Sequence, residues 1–222
     1  ATNSFGTSYG NDLSFTTSCA PIFPFSWIES FENGGAIPPC WTQEEVNGSG
    51  LNWTFITGNG SGHPATAHTG IFNACLKDVS STDNITLLVT PPLNLNSIVN
   101  PNLQFWHTQA LWSPDQDELK VYYKTSYDGT WILLATYSDN ITAWTVETLW
   151  LPEKSDDFYI GFEGNAKYGY GVCLDDVQIT GTPVTLLVTP QNQDVNAQAG
   201  TIEYAVESNS AWTATSNQTW CS

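Results

Sequence analysis

The sequence predicts an all-β fold of the sandwich or jelly-roll type, and three observations carry that prediction. Short apolar runs alternate with polar residues at a period of two, and no long stretch places apolar residues at helical spacing. Turn chemistry falls where these runs stop: Asn33-Gly34-Gly35, Asn47-Gly48, Asn59-Gly60, Pro91-Pro92, Asp128-Gly129 and Gly169-Tyr170-Gly171. Aromatic residues make up 13% of the chain and include ten Trp, enough to fill the inner faces of two stacked sheets with few helices.

Taken in order, the strands announce themselves by which residues share a face. Leu103, Phe105 and His107 alternate with Gln104, Trp106 and Thr108. Leu119, Val121 and Tyr123 form a second such set, and Phe158, Ile160 and Phe162 a third. Each is expected to be half-buried, with His107 a hydrogen-bonded core histidine and most of the Trp in the core. Pro-rich stretches at Cys19 to Pro24 and at Gly181-Thr182-Pro183 interrupt the strand pattern as linkers do. They divide the chain into residues 1–20, 21–182 and 183–222.

Composition limits the function. Five Lys and Arg stand against 22 Asp and Glu, a formal charge of -17, which repels phosphate backbones and anionic headgroups. Nucleic acid is therefore not expected as a partner. No apolar run approaches the roughly 18 residues of a membrane helix, so membrane insertion is not expected either. Met is absent, including at position 1, and the chain is expected to be an internal segment of a longer protein. The cysteines at 19, 40, 75, 173 and 221 include no C-x-x-C pair, which points away from zinc ribbons and thioredoxin-type chemistry. Six N-x-[ST] triplets begin at Asn47, Asn52, Asn59, Asn84, Asn140 and Asn217, but a chain rich in Asn, Ser and Thr produces them by chance.

Catalytic signatures are missing. There is no G-x-S-x-G elbow, P-loop or dinucleotide-binding glycine pattern, and His63 and His68 have neither helical zinc spacing nor the H-E-x-x-H frame. Paired carboxylates of the glycosidase kind are present in any acidic chain, and no motif singles one pair out. The cluster Asp115, Asp117 and Glu118 lacks EF-hand spacing and is expected to be a solvated loop. The chain is expected not to be an enzyme.

A series of motifs in order resembles the MAM domain and its bacterial relatives, the cleaved-adhesin and choice-of-anchor-J modules. The carriers are Phe31-Glu32-Asn33-Gly34, Pro39-Cys40-Trp41, Asn52-Trp53, His68-Thr69-Gly70, the Leu87-to-Leu95 step, Leu119 to Tyr123, Tyr159 to Gly164 and Val172 to Val177. The tail resembles the first half of a BACON domain through Val188-Thr189-Pro190, Tyr204-Ala205-Val206, Ala211-Trp212 and Trp220-Cys221. Residues 1–18, with Phe15-Thr16-Thr17, resemble the last strands of a fibronectin-type-III-like module. Together these resemblances imply an all-β, MAM-like jelly-roll sandwich flanked by partial immunoglobulin-like modules, with the first and last strands of the jelly roll side by side. A half sandwich leaves sheet edges unpaired, so the parent protein is expected to continue past Ser222.

The resemblance also implies a site and a role. Structural calcium is expected at Glu32 on the opening strand with Asp175 and Asp176 on the closing strand, the pleat allowing only one of the two Asp to be the principal inward ligand. Where animal MAM domains usually carry Asp-His-Thr, this chain has Ala67-His68-Thr69. Cys40 matches a family cysteine, with Cys19 its expected partner, and Cys75 with Cys173 is the expected second bridge. Trp112, Tyr168 and Tyr170, in expected loops, are the candidate sugar-stacking rings. The expected role is a non-catalytic binding or adhesion module of a secreted, cell-surface multidomain protein of the kind seen in Bacteroidetes. Its partners are expected to be a glycan or an extracellular protein, alongside neighbouring domains of the same polypeptide. The alternative is a structural spacer or accessory module of a larger secreted protease or glycoside hydrolase.

Overall fold

Among the described residues, fifteen strands and one short 3-10 turn, Leu95–Ser97, account for the regular structure, all pairings between named strands being antiparallel. The computed structural model describes residues 2–7, 18–23, 26–48, 50–80, 82–194 and 198–218. The expected strand around Phe15-Thr16-Thr17 and the Trp220-Cys221 signature lie outside these residues.

Two sheets face each other. The first has the order β10 (Ile132–Tyr137), β9 (Glu118–Lys124), β12 (Tyr159–Ala166), β7 (Asn84–Val89) and β4 (Thr42–Glu45). The second has the order β11 (Ile141–Trp150), β8 (Ile98–Gln109), β13 (Val172–Pro183), β6 (Asn73–Leu76) and β5 (Thr54–Ile56). Strand β3 (Trp27–Glu29) also pairs with β13, setting Glu29 opposite Val177 and Trp27 opposite Ile179. The opening and closing strands of the jelly roll thus lie together, as expected.

The alternation read from the sequence becomes the core. Leu103, Phe105, Leu119, Val121, Phe158, Ile160 and Phe162 are all fully buried. Phe105 from one sheet meets Phe162 from the other edge to face, with centroids 5.3 Å apart. Deleting a ring of this kind costs about 3–5 kcal/mol, so these residues hold the layers together. The tryptophans behave otherwise: among those described, only Trp41 and Trp53 are buried, and Trp112, Trp150 and Trp212 are exposed. Aliphatic residues and Phe fill most of the space between the sheets, and the other described indoles are half-buried or exposed.

Cys19 and Cys40 form a disulfide with Cα atoms 6.0 Å apart. It ties the segment ahead of β3 to the sandwich, where the Ile22 N–H donates to the Pro92 carbonyl at 2.8 Å. The second expected bridge is absent: Cys75 and Cys173 are free thiols. They stand directly opposite each other on β6 and β13, where the Cys173 thiol interacts with the Cys75 thiol and lies 3.7 Å from the Gly58 carbonyl.

Outside the sandwich, β1 (Thr2–Asn3) pairs with β2 (Gly6–Thr7), and β14 (Leu186–Thr189) pairs with β15 (Ala205–Ser208). Leu186, Leu187 and Trp212 are exposed in the second of these flanking segments.

Candidate functional site

Three loops at one end of the sandwich build a cleft. Tyr168 and Tyr170 come from the turn between β12 and β13, Trp112 from the loop between β8 and β9, and Ser61 from the loop after β5. Lys77 and Asp78, just past the end of β6, complete the lining of a cavity of about 350 Å³. The three rings picked out in the sequence are therefore brought together. Trp112 and Tyr170 meet at 5.4 Å with their planes 77° apart, while Trp112 and Tyr168 are 49% and 40% exposed and offer open ring surface.

A carboxylate missed by the sequence reading holds this cleft in shape. Asp117, expected on a solvated loop, is buried. Its Oδ1 accepts the N–H of Lys167 at 2.6 Å and of Gly169 at 3.1 Å, and its Oδ2 accepts the N–H of Gly171 at 2.7 Å. Burial raises its pKa from the ordinary value against the pull of these amides. Tyr168, at φ 75°, sits in the left-handed region within the loop so wrapped around the acid. Nothing in residues 115–118 alone signals this burial, because the donors lie about fifty positions downstream.

Asn59 pins the other side. Its side-chain amide donates to the Tyr170 carbonyl at 2.7 Å, and its oxygen accepts the N–H groups of Ser61 and His63 at 2.8 and 2.9 Å. His63 in turn packs on the Tyr170 ring at 4.0 Å. Being buried, Asn59 and Asn84 cannot carry a glycan in the folded chain, which disposes of two of the six acceptor triplets.

The expected calcium ligands lie elsewhere and form a clasp around the loop 66–72. Glu32 is not on the opening strand. The chain turns out of β3 at Phe31, whose φ is 58°, and Glu32 projects from the turn, where its Oε1 accepts the N–H groups of Ile71 and Phe72, both at 2.8 Å. At the other end of the loop, Asp175 Oδ2 accepts the N–H of His68 at 2.9 Å and of Thr69 at 3.2 Å. Asp176 Oδ1 accepts the Thr69 hydroxyl at 2.7 Å, and its Oδ2 lies 2.5 Å from His68 Nδ1.

Both neighbouring acids reach the same loop, contrary to strict pleat alternation. The ladder between β13 and β8 carries an irregularity between Asp175 and Gln178, and Asp176 has φ 45°. The His68 ring stacks on Trp106 at 3.8 Å, and Trp144 caps the loop by donating its indole N–H to the Thr66 carbonyl at 3.0 Å. Burial pushes the Asp175 carboxyl up to about 7 although three backbone N–H groups point at it.

As a cation cage this set fits poorly. The carboxylate oxygens already face N–H and O–H donors, Ala67 brings no oxygen side chain where the family usually has Asp, and no group of three or more His, Cys, Asp or Glu converges among the described residues.

His107 is buried as expected but is not a hydrogen-bonded histidine. Neither ring nitrogen has a partner of good hydrogen-bond geometry: the Gln109 side chain is the polar group that acts on the ring, and the nearest carboxylate oxygen is Glu147 Oε1 at 3.9 Å. Desolvation lowers its pKa to about 4, so the ring is neutral, wedged against Phe105 and Tyr137.

Comparison with known proteins agrees with this architecture. No curated protein sequence matches the chain. The K3 cleaved adhesin domain of Lys-gingipain from Porphyromonas gingivalis is similar at 22% identity with a TM-score of 0.53, over 69% of this chain and 96% of that domain. The K1 cleaved adhesin domain of the same protein gives 20% identity and 0.56, over 72% and 99%. A carbohydrate-binding module, TmCBM61, solved with β-1,4-galactotriose, gives 14% and 0.50, over 68% and 94%. At these identities the likenesses establish a shared β-sandwich fold. The profile of the MAM domain (meprin/A5/mu) matches residues 30–184, which is most of the chain and takes in both the clasp and the cleft, and on that match the chain belongs to the MAM domain family.

Proposed function

We propose that this chain is a non-catalytic binding module of a secreted or cell-surface multidomain protein, and that it takes a glycan in the cleft of Trp112, Tyr168 and Tyr170. The observation that carries the reading is the gathering of three rings from two separate loops around one cavity of about 350 Å³. Aromatic faces stack on the apolar faces of sugars, and polar neighbours orient the hydroxyls. The sugar-bound carbohydrate-binding module of the same fold type supports the reading. The Cys19–Cys40 bridge supports an oxidising, extracellular setting. Electrophoresis through gels containing soluble polysaccharides tests it: at least one polymer retards the protein, and Trp112→Ala or Tyr168→Ala abolishes the retardation. A folded protein that migrates unchanged through every polymer removes the glycan.

Adhesion to an extracellular protein is the second reading, and a different surface favours it. The outer face of the second sheet presents Ile28, Val146 and Trp150, which are 55%, 41% and 60% exposed. Binding that free sugar does not compete, and that Trp150→Ser weakens, would point there. A spacer would capture nothing in either assay.

Calcium at Glu32, Asp175 and Asp176 belongs to the same proposal as a structural ion, held by carboxylate oxygens. To bind there it would have to displace the donors of the 66–72 loop. Melting with excess Ca²⁺ and with chelator decides it: a higher melting temperature with Ca²⁺ supports the ion, and superimposable curves remove it. The flanking segments 1–20 and 183–222 are proposed as the end of a fibronectin-like module and the start of a BACON-like module.

A further inference from the structure

The cleft contains a cation whose position the aromatic rings do not explain. The chain has no Arg and only five Lys against 22 acidic residues. Lys120 pairs with Glu118 and Glu163, and Lys167 with Asp83. Lys124 and Lys154 are turned onto backbone carbonyls outside the cleft. Lys77 is the one basic residue in the cleft lining, and no carboxylate lies within salt-bridge distance of it among the described residues. Its Nζ instead approaches two neutral oxygens, the Ser61 hydroxyl and the Asn59 carbonyl, the latter at 3.5 Å.

The neighbouring acid is already occupied. Asp78 Oδ1 accepts the Val79 N–H at 2.7 Å, and Oδ2 accepts the side-chain amide of Asn84. Backbone geometry makes room for the Lys77 stem. Gly171 has φ 94°, and a side chain there would come within 2.9 Å of the Lys77 Cβ and 3.0 Å of the Leu76 carbonyl oxygen. The chain thus threads a glycine past the base of the lysine, and Lys77 lines the same cavity as Trp112, Tyr168 and Tyr170 with its ammonium at the Ser61 hydroxyl, itself part of the lining.

We infer that the cleft selects acidic glycans, with Lys77 receiving the carboxylate of a uronic acid residue whose ring stacks on the aromatic wall. This rests on the glycan reading of the cleft and adds its substrate class. A neutral sugar needs donors and acceptors but no net charge. In a chain of charge -17, Lys77 is the ammonium that both lines the aromatic cleft and lacks a carboxylate within salt-bridge distance among the described residues, Lys124 and Lys154 sharing the second property but lying outside the cleft. The general negative field of the protein is screened beyond roughly 8 Å at physiological salt, whereas a direct ammonium–carboxylate contact is not. A charge-assisted hydrogen bond of this kind is worth roughly 10- to 100-fold in affinity.

The test compares polygalacturonate, alginate and a glucuronate-containing polymer, each beside its carboxyl-reduced form, using wild type, Lys77→Met, Lys77→Arg and Trp112→Ala. Lys77→Met keeps most of the stem, and its melting curve confirms folding. The expected result is binding to at least one acidic polymer that weakens at least 10-fold on carboxyl reduction and on Lys77→Met. Lys77→Arg retains it, and Trp112→Ala loses all binding. If the acidic and reduced forms bind alike, or Lys77→Met changes nothing, the acidic selectivity is wrong and the cleft reading stands. If neither set binds the folded protein, the cleft reading itself falls.

Discussion

Asp117 and Gly169 occupy one another's space: a Cβ built on Gly169 would stand 2.2 Å from Asp117 Oδ2. The loop closes so tightly on the buried acid that only glycine fits. The turn bearing Tyr168 and Tyr170 is therefore shaped by a residue fifty positions away in sequence, and its conformation is a property of the pair.

Removing the acid should open the loop. Asp117→Ala strands three backbone N–H groups and is expected to cost roughly 3–5 kcal/mol in urea unfolding. Gly169→Ala is expected to cost about 1–3 kcal/mol by overpacking. Both should weaken glycan retention although every ring of the cleft is still present. Retention at wild-type strength in a destabilised Asp117→Ala protein would show that the brace does not position the site.

Two buried groups should give opposite pH slopes. His107 has a folded pKa of about 4 against an ordinary 6.5. Its contribution is intact above about pH 6.5 and declines as pH falls to about 4, by about 3 kcal/mol in all. Asp175 has a folded pKa of about 7 against 3.8, its burial favouring the protonated form. Its contribution is complete below about 3.8 and is lost as pH rises through 7, by about 4 kcal/mol. Across the shared window the two offset each other. Relative to wild type, His107→Leu should gain stability as pH drops from 7 to 4.5, and Asp175→Asn should lose it. Urea midpoints across that range read the signs, and parallel slopes for the two variants would refute the assignment.

Cysteine labelling should sort the thiols into two classes. Cys75 and Cys173 are 1% and 0% exposed, and burial raises the Cys173 thiol well above its ordinary pKa, so these two cysteines should resist iodoacetamide in the native protein, as peptide mapping would show. Unfolding without reductant should expose both to alkylation and leave Cys19 and Cys40 joined. A peptide carrying Cys75 bonded to Cys173 would overturn the free-thiol state.

Lys124 sits in a box of rings, its Nζ 4.5 Å from the Trp131 centroid, 5.2 Å from Tyr159 and 5.6 Å from Tyr127, while donating to the Tyr127 carbonyl at 2.7 Å. Lys124→Met keeps the stem and removes the charge. It should cost about 1–3 kcal/mol in urea unfolding. An unchanged midpoint would mean that the rings pack equally well around a thioether.

The strands were legible because burial follows local alternation: Leu103, Phe105, Val121, Ile160 and Phe162 turn inward as their spacing predicts. The aromatic cleft was legible in part, since large rings beside glycines in loops mark exposed surface. Asp117 was not, because its burial depends on amides contributed by another segment. Lys77 was passed over because its isolation from carboxylates exists only in three dimensions. Asp175 and Asp176 were assigned to opposite faces by a rule that their backbone breaks, and Cys75 and Cys173 show that facing positions need not imply a bond.

The irregularity at Asp175 and Asp176 has a consequence for the parity of its whole strand. Before it, the even-numbered Val172 and Leu174 join the core cluster, and after it the odd-numbered Val177 and Ile179 do. A strand of unbroken pleat cannot satisfy both sets, since one of them would face water. The acidic pair supplies the extra step that flips the count, three residues from Asp175 to Gln178 standing against two from Trp106 to Gln104. Deleting Asp176 would therefore remove the bulge and leave Val177 and Ile179 facing the core in an unbroken pleat, while the contacts of Asp176 to His68 and Thr69 are lost. The most hydrophilic dipeptide of the strand is thus what allows both of its apolar halves to look the same way.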